Sequence, residues 1–211
     1  MTFAEFVEKC HTYPLIRSNI FPLLTNNSGM LRRQVTEWVK KKWMVELKRS
    51  IYIIANQSNR CQVSNLFLAN YLTSPSYVSL ETALSHYRLI PERIEAITSV
   101  TSKKTQRYQN SLGHFIYRHV KQSSYKFFVA EKDEFGRQYY IATPEKALVD
   151  YLYFHTSHLN HVSANYFSES LRLQNMERLS IEQLLLSAQC FDQKKLSSTV
   201  RTLISHIKEN P

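Results

Sequence analysis

Apolar and polar positions alternate along this chain in stretches that change period abruptly. Phe3, Phe6, Val7 and Cys10 recur at the spacing of an amphipathic helix and predict one from Thr2 to about Cys10. Tyr13-Pro14 breaks it, and Ser18 to Leu24 reads as a short second helix that has to accommodate Pro22. Asn26-Asn27-Ser28-Gly29 is a turn, with Ser28 or Asn27 as the N-cap of the next helix. From Met30 to Lys42, Leu31, Val35, Trp38 and Val39 fall at i, i+4, i+7 and i+8. A third helix there buries one face and presents Arg32, Arg33, Thr36 and Lys40 on the other. Residues 43–47 and 51–55 then read as two strands, with Lys48-Arg49-Ser50 at the tip of their hairpin. Three helices followed by a two-stranded hairpin is the order of a winged helix-turn-helix.

The rest of the chain mixes both periods. Helices are predicted over 62–72 and 80–87, the second with Ser79 as N-cap. Short β-rich runs occupy 96–101, 105–109, 115–120, 127–130 and 139–142, separated by turn signals, and imply a small mixed or antiparallel sheet. Thr143-Pro144-Glu145 opens a helix running to about Phe154, with Thr as cap, Pro at the first position and Glu in the first turn. Residues 180–191 and 193–209 predict two further helices. The expected class is α+β. A winged helix-turn-helix over residues 1–60 precedes a mixed α/β domain over residues 61–211, which has a small sheet and C-terminal helices.

Composition narrows the function. The 211 residues carry 27 Lys+Arg against 17 Asp+Glu, a net charge of +10. That makes nucleic acid the first partner to consider. Residues 1–75 hold ten of the cations and four of the acids, so a third of the chain carries more than half of the excess. Within it, residues 30–50 are the densest basic segment. On a helix lying in the major groove, Arg32 and Arg33 sit where side chains reach base edges, and Arg bonds guanine bidentately there. Lys40, Lys41 and Lys42 at the far end meet phosphates, and Lys48 and Arg49 track a second stretch of backbone. Ser28, Gln34, Thr36, Ser50 and Tyr52 complete the candidate DNA-binding set. A second basic set, Lys103, Lys104, Arg107, Arg118 and Lys121, lies on and between the predicted strands. It suits a further DNA-backbone contact, or a surface meeting a partner protein or that partner's RNA target, or simply a solvated sheet face.

Other chemistry finds little support. The chain has only three glycines, Gly29, Gly113 and Gly136, too scattered for a Walker loop or a dinucleotide fingerprint. No apolar run approaches the roughly 20 residues of a membrane span, and the N-terminus has no signal-peptide core. Three well-separated cysteines, Cys10, Cys61 and Cys190, suit a reducing cytoplasm. His155, His158 and His161 invite a metal reading, but residues three apart drift off one helix face and no Cys or acid lies near in sequence. Glu131, Lys132 and Asp133 lack the spacing of a nuclease strand. Glu145 and Asp150, five apart, do not share a helix face. The sequence therefore predicts no enzyme, no cofactor and no metal.

Several segments resemble a known family. Leu31 to Ala55 is similar to the winged-helix N-terminus of AbiE-type antitoxins, the transcriptional regulators of type IV toxin–antitoxin (abortive infection) systems. Leu66 to Glu92, Ile97 to Thr105 and Ile141 to Leu152 resemble later parts of the same family. The runs Ser74-Pro-Ser-Tyr-Val-Ser-Leu-Glu81 and Ala142-Thr-Pro-Glu-Lys-Ala-Leu148 are the most specific. The likeness spans roughly residues 10–155. It implies a repressor that binds operator inverted repeats in double-stranded DNA, with a second domain that counters a nucleotidyltransferase-like toxin without a stable complex. Two departures stand out. The family pattern usually has Gly immediately before the aromatic at Trp43 and again at Ser50, and this chain has Lys42 and Ser50 there. The expectation is that the third helix ends, and the hairpin turns, by other means. Two rival readings remain open: a nuclease or modifying enzyme delivered by a winged helix, and a winged-helix protein-interaction module.

Overall fold

A computed structural model describes residues 1–55, 63–156, 159 and 162–209. The protein is mixed α+β and divides into two compact units, Met1–Ser64 with Tyr108–Leu112, and Asn65–Arg107 with Gly113–Pro211.

The first unit opens with α1 (Phe3–Lys9), held by a reciprocal capping box between Thr2 and Glu5. A two-residue strand, β1 (Ile16–Arg17), comes next, and no periodicity in the sequence announces it. The predicted second helix is a 3-10 turn at Ser18–Ile20 running into α2 (Phe21–Leu24). Pro22 falls in the first turn of α2, where its missing N–H has no helical partner to lose. Helix α3 (Ser28–Lys40) begins two residues earlier than predicted, and its N-cap is Asn27, whose side chain accepts from the Met30 amide at 2.9 Å. Strands β2 (Met44–Lys48) and β3 (Ile51–Ile54) form the predicted hairpin. Strand β1 pairs antiparallel with β3, giving a three-stranded sheet in the order β1-β3-β2. The core is Phe6, Cys10, Ile16, Phe21, Leu31, Val35, Trp38 and Met44. Burial pushes the Cys10 thiol up to about 11, so it packs as an inert apolar group.

The second unit contains α4 (Asn65–Leu72), β4 (Tyr77–Val78), α5 (Leu80–His86), β5 (Ala96–Thr101), β6 (Gln106–Asn110), β7 (Gly113–His119), β8 (Phe128–Lys132), β9 (Gln138–Ala142), α6 (Pro144–His155), α7 (Ile181–Gln189) and α8 (Lys194–Glu209). Residues of β6 from Tyr108 on group with the first unit. The sheet is mixed, in the order β6-β7-β5-β4-β9-β8. Strands β5 and β7 run parallel, as do β4 and β9, while β4 with β5 and β8 with β9 are antiparallel. Helix α6 is the hub. Thr143 caps it as predicted, and Ala147, Leu148, Val149 and Leu152 are fully buried. It packs against α5, α7 and α8. On α8, Leu196, Val200, Leu203, Ile204 and Ile207 form the buried stripe their spacing predicts. Among the described residues, no helix is long and apolar enough to cross a membrane.

The two positions at which the sequence departs from the pattern it resembles, Lys42 and Ser50, are both left-handed here without Gly. Lys42 has φ +59° and Ser50 φ +68°. At the end of α3, the Trp43 amide donates to the Trp38 carbonyl at 2.9 Å and the Lys42 amide to that of Val39 at 3.0 Å. That pair of bonds is a Schellman motif, the helix ending that normally selects Gly. The expectation of a different ending is therefore corrected: the geometry is kept and a lysine bears its strain. The same ending recurs on α5, where Arg88 takes φ +59° and the Leu89 amide donates to the Leu84 carbonyl at 2.8 Å. In the hairpin, the Ser50 amide donates to the Glu46 carboxylate at 3.1 Å, and the β2 ladder shifts register between Glu46 and Lys48. A carboxylate and a bulge stabilise the turn that Gly would otherwise make easy.

Candidate nucleic-acid interface

The face of α3 opposite its core stripe is basic and open. Leu31, Val35 and Trp38 are buried, whereas Arg32, Arg33, Thr36 and Lys40 are exposed, as the helical period requires. Arg32 is partly anchored. Its guanidinium lies 5.9 Å from the centre of the Phe21 ring and 3.5 Å from the Ser18 hydroxyl, which aims the side chain along α2. Arg33 projects from the first half of the helix without such an anchor among the described contacts. The Thr36 hydroxyl donates back to the Arg32 carbonyl at 3.0 Å. Lys40 pairs with Glu37 at 2.8 Å, both well exposed, a bond worth little in water. That contact lowers the Glu37 carboxyl below its ordinary value.

The helix end and the hairpin supply the remaining cations. The Lys41 ammonium sits 5.1 Å above the Trp43 ring, so its charge is carried on an aromatic face and stays exposed. Lys42 and Arg49 are exposed. The Ser50 carbonyl accepts from the Ser18 amide at 3.0 Å, which ties the hairpin tip to the turn leading into α2.

Four candidates are placed differently from what the sequence suggests. Gln34 is half-buried, and its side-chain amide donates to the Met1 carbonyl at 2.8 Å, so it fastens α3 to the start of the chain. The Lys48 ammonium lies 4.5 Å over the ring of Tyr108, in the segment that groups with this unit, and is half-buried. Tyr52 stacks on Phe21 with ring centres 6.5 Å apart, and burial raises its hydroxyl above the ordinary value. Ser28 is the first residue of α3, with Asn27 providing the cap.

The second basic set divides in two. Lys103, Lys104, Arg107 and Lys121 are exposed. Arg118 is half-buried, with its guanidinium 4.7 Å over the Phe154 ring of α6, so it is a packing residue rather than a member of the same surface.

A buried polar cluster that sequence reasoning misses lies at the heart of the second unit. Lys146 and Asp150, one turn apart on α6, form an ion pair with neither side chain exposed. The other Asp150 oxygen accepts from the Tyr77 hydroxyl at 3.0 Å and the Ser79 hydroxyl at 2.8 Å. Ser79 therefore stands at the N-cap position of α5 but spends its hydroxyl on Asp150 instead of the helix. The Lys146 ammonium also lies 4.3 Å over the Phe191 ring. Burial raises the Asp150 carboxyl above the ordinary range, against the lowering by Lys146, Ser79 and Tyr77. The available signal is a Lys and an Asp at i and i+4 inside an otherwise apolar helix face. Glu145, on the same helix, accepts from the Ser180 amide at 3.0 Å.

A half-buried pair joins α5 to α6. His155 Nε2 and Glu81 Oε1 are 3.2 Å apart, and His155 stacks on Tyr151 with ring centres 4.1 Å apart. The Glu81 contact raises the His155 imidazole above its ordinary value. His158 and His161 lie outside the described residues, as does Cys61. Among the described residues, no three His, Cys, Asp or Glu side chains come together as metal ligands. Glu131 accepts from the Tyr139 hydroxyl at 2.8 Å, and Asp133 closes the β8–β9 turn by accepting from the Phe135 and Arg137 amides.

Fold and surface together define an α+β protein with one strongly basic helix face. No protein-family model matches the chain, and no curated protein matches it.

Proposed function

We propose that the chain is a DNA-binding transcriptional autorepressor and the antitoxin of a type IV toxin–antitoxin system. Its first unit acts as a winged helix-turn-helix. The observation that carries the DNA-binding reading is the exposure of Arg32, Arg33 and Lys40 on the face of α3 opposite its core, with Arg49 at the tip of the following hairpin. The element order supports it too: α1, β1, α2, α3 and a β2–β3 hairpin, with β1 closing the sheet on β3. In this reading α3 enters the major groove and the hairpin lies along the neighbouring backbone. The antitoxin assignment rests on the resemblance in the runs 74–81 and 142–148. On that reading the second unit counters a nucleotidyltransferase-like toxin in the cytoplasm without a stable complex, and the chain catalyses no reaction itself.

A gel shift with the chain's own upstream region across a salt series tests the regulator. The expected result is a complex on that duplex that survives salt concentrations at which complexes on random duplex have dissociated. Equally weak binding to every duplex would sink sequence-specific regulation.

A further inference from the structure

From Ala96 through Ala130 the chain contains no Asp or Glu, while it carries Lys103, Lys104, Arg107, Arg118, Lys121 and Lys126. The topology gathers most of this charge at one end of the sheet. Strands β5 and β7 are parallel, with Thr101 beside His119, so both finish at the same end. Strand β6 is joined to β7 by residues 111 and 112 alone and lies next to it in the sheet, so the two form a hairpin and β6 begins where β7 ends. The segment 102–105 must therefore cross the end of β7. It is fastened there: the His119 amide donates to the Thr105 hydroxyl at 3.2 Å, and His119 Nδ1 lies 2.9 Å from the Lys103 carbonyl.

Four cations meet at this end. Lys103 and Lys104 sit on the crossing, Arg107 is the second residue of β6, and Lys121 lies two residues past β7. All four are exposed, and among the described residues none of them makes an ion pair. The Lys103 ammonium donates to the Ser74 carbonyl, which holds its charge in place. Like charges gathered on a fixed loop without counter-charges repel one another. A row of phosphates relieves that repulsion and releases condensed counterions.

We propose that this end of the sheet is a second, independent contact for the phosphate backbone of duplex DNA, made by Lys104, Arg107 and Lys121 around the anchored Lys103. It lies outside the winged-helix surface and does not depend on α3 reading sequence. A backbone contact of this kind adds affinity without base preference.

The test uses the full chain and a labelled random-sequence DNA duplex, with affinity measured across a salt series. In the Lys104→Gln/Lys121→Gln variant the slope of log K against log salt is expected to become shallower by about 1.8, from roughly 0.9 per phosphate contact. The same loss is expected in a background that already carries Lys40→Gln on α3 and Lys41→Gln at its C-cap. Melting temperatures should match the parent chain, since both substituted side chains are exposed. An unchanged slope overturns the proposal. So does a loss seen only while Lys40 and Lys41 are intact, a loss seen on RNA duplex but not on DNA, or weakened binding of polyglutamate with DNA binding intact. The regulator reading fails separately, by absence of preference for the upstream region, and leaves this slope untouched.

Discussion

Lys146 and Asp150 face each other across one turn of α6 with no access to solvent, and Asp150 takes two further hydrogen bonds from Tyr77 and Ser79 on and beside β4. The pair thus binds the central helix of the second unit to the middle of its sheet.

Removing one partner strands the other charge in the core. Lys146→Met is expected to destabilise the protein by about 3–5 kcal/mol, with Asp150→Leu similar. Tyr77→Phe, which deletes a single donor, should cost about 1–2 kcal/mol. The double replacement Lys146→Met/Asp150→Leu should recover much of the loss, because no unpaired charge remains. Urea unfolding of the four variants measures this. A double replacement that is the sum of the singles would show that the two residues do not act as a pair.

The left-handed residues at the end of α3 and in the hairpin carry strain that Gly would not. Lys42→Gly and Ser50→Gly are each expected to raise stability by up to about 1 kcal/mol, the relief of strain being partly offset by a freer unfolded chain. Lys42→Val and Ser50→Val should destabilise by more than that. Lys42→Gly separates two proposed roles: it should raise Tm yet lower affinity for every DNA duplex, because on the DNA-binding reading it deletes an exposed cation available to phosphate. Thermal melts and salt-dependent binding of the same variant read both.

The arginine on α3 and the lysine at its C-terminal cap should fail in different ways. Arg33→Ala is expected to cost about 1–3 kcal/mol on the preferred operator and to flatten discrimination at one base position. Lys41→Ala should weaken binding on all sequences alike and reduce the salt slope by about 1. Identical behaviour of the two variants on specific and random duplexes would remove the distinction between base readout and backbone contact.

The His155–Glu81 contact makes the α5–α6 packing dependent on pH. The Glu81 contact raises His155 above its ordinary 6.5. Its stabilisation is therefore complete below 6.5 and is lost as pH rises through the raised value. Burial, the largest single influence, pushes Glu81 up, but the hydrogen bonds to its carboxylate and the His155 charge together outweigh it and the carboxyl falls below 4.5. Its contribution is present above 4.5 and is lost as pH falls through the lowered value. Both groups are charged between these limits, and the contact is strongest there. His155→Gln should flatten the alkaline limb of the stability profile. An unaltered profile would show that the pair contributes nothing.

The first unit is legible in the sequence because its signals are local. Leu31, Val35 and Trp38 repeat at helical spacing, so the exposed positions of Arg32, Arg33, Thr36 and Lys40 follow from the period alone. Strand β1 leaves no trace, since two residues carry no period and exist as a strand only through pairing with β3. Gln34 and Lys48 escape a local reading for a related reason. Their partners, the Met1 carbonyl and the Tyr108 ring, are distant in sequence. Arg118 looks like its basic neighbours until α6 places Phe154 beneath it.

The sequence by itself determined the helices, most of the strands, the basic face of α3 and the cap of α6, because periodicity, capping and turn chemistry act over a few residues. It also carried the acid-free run from Ala96 to Ala130. Only the tertiary structure decided which strands run parallel, that this run closes into one charged end of a sheet, and that Lys146 and Asp150 are buried together. It also decided that Lys42 and Ser50 take a backbone conformation usually left to Gly. Those outcomes depend on contacts between residues far apart in the chain. There the free energy of packing the whole unit outweighs the local preference of any one residue.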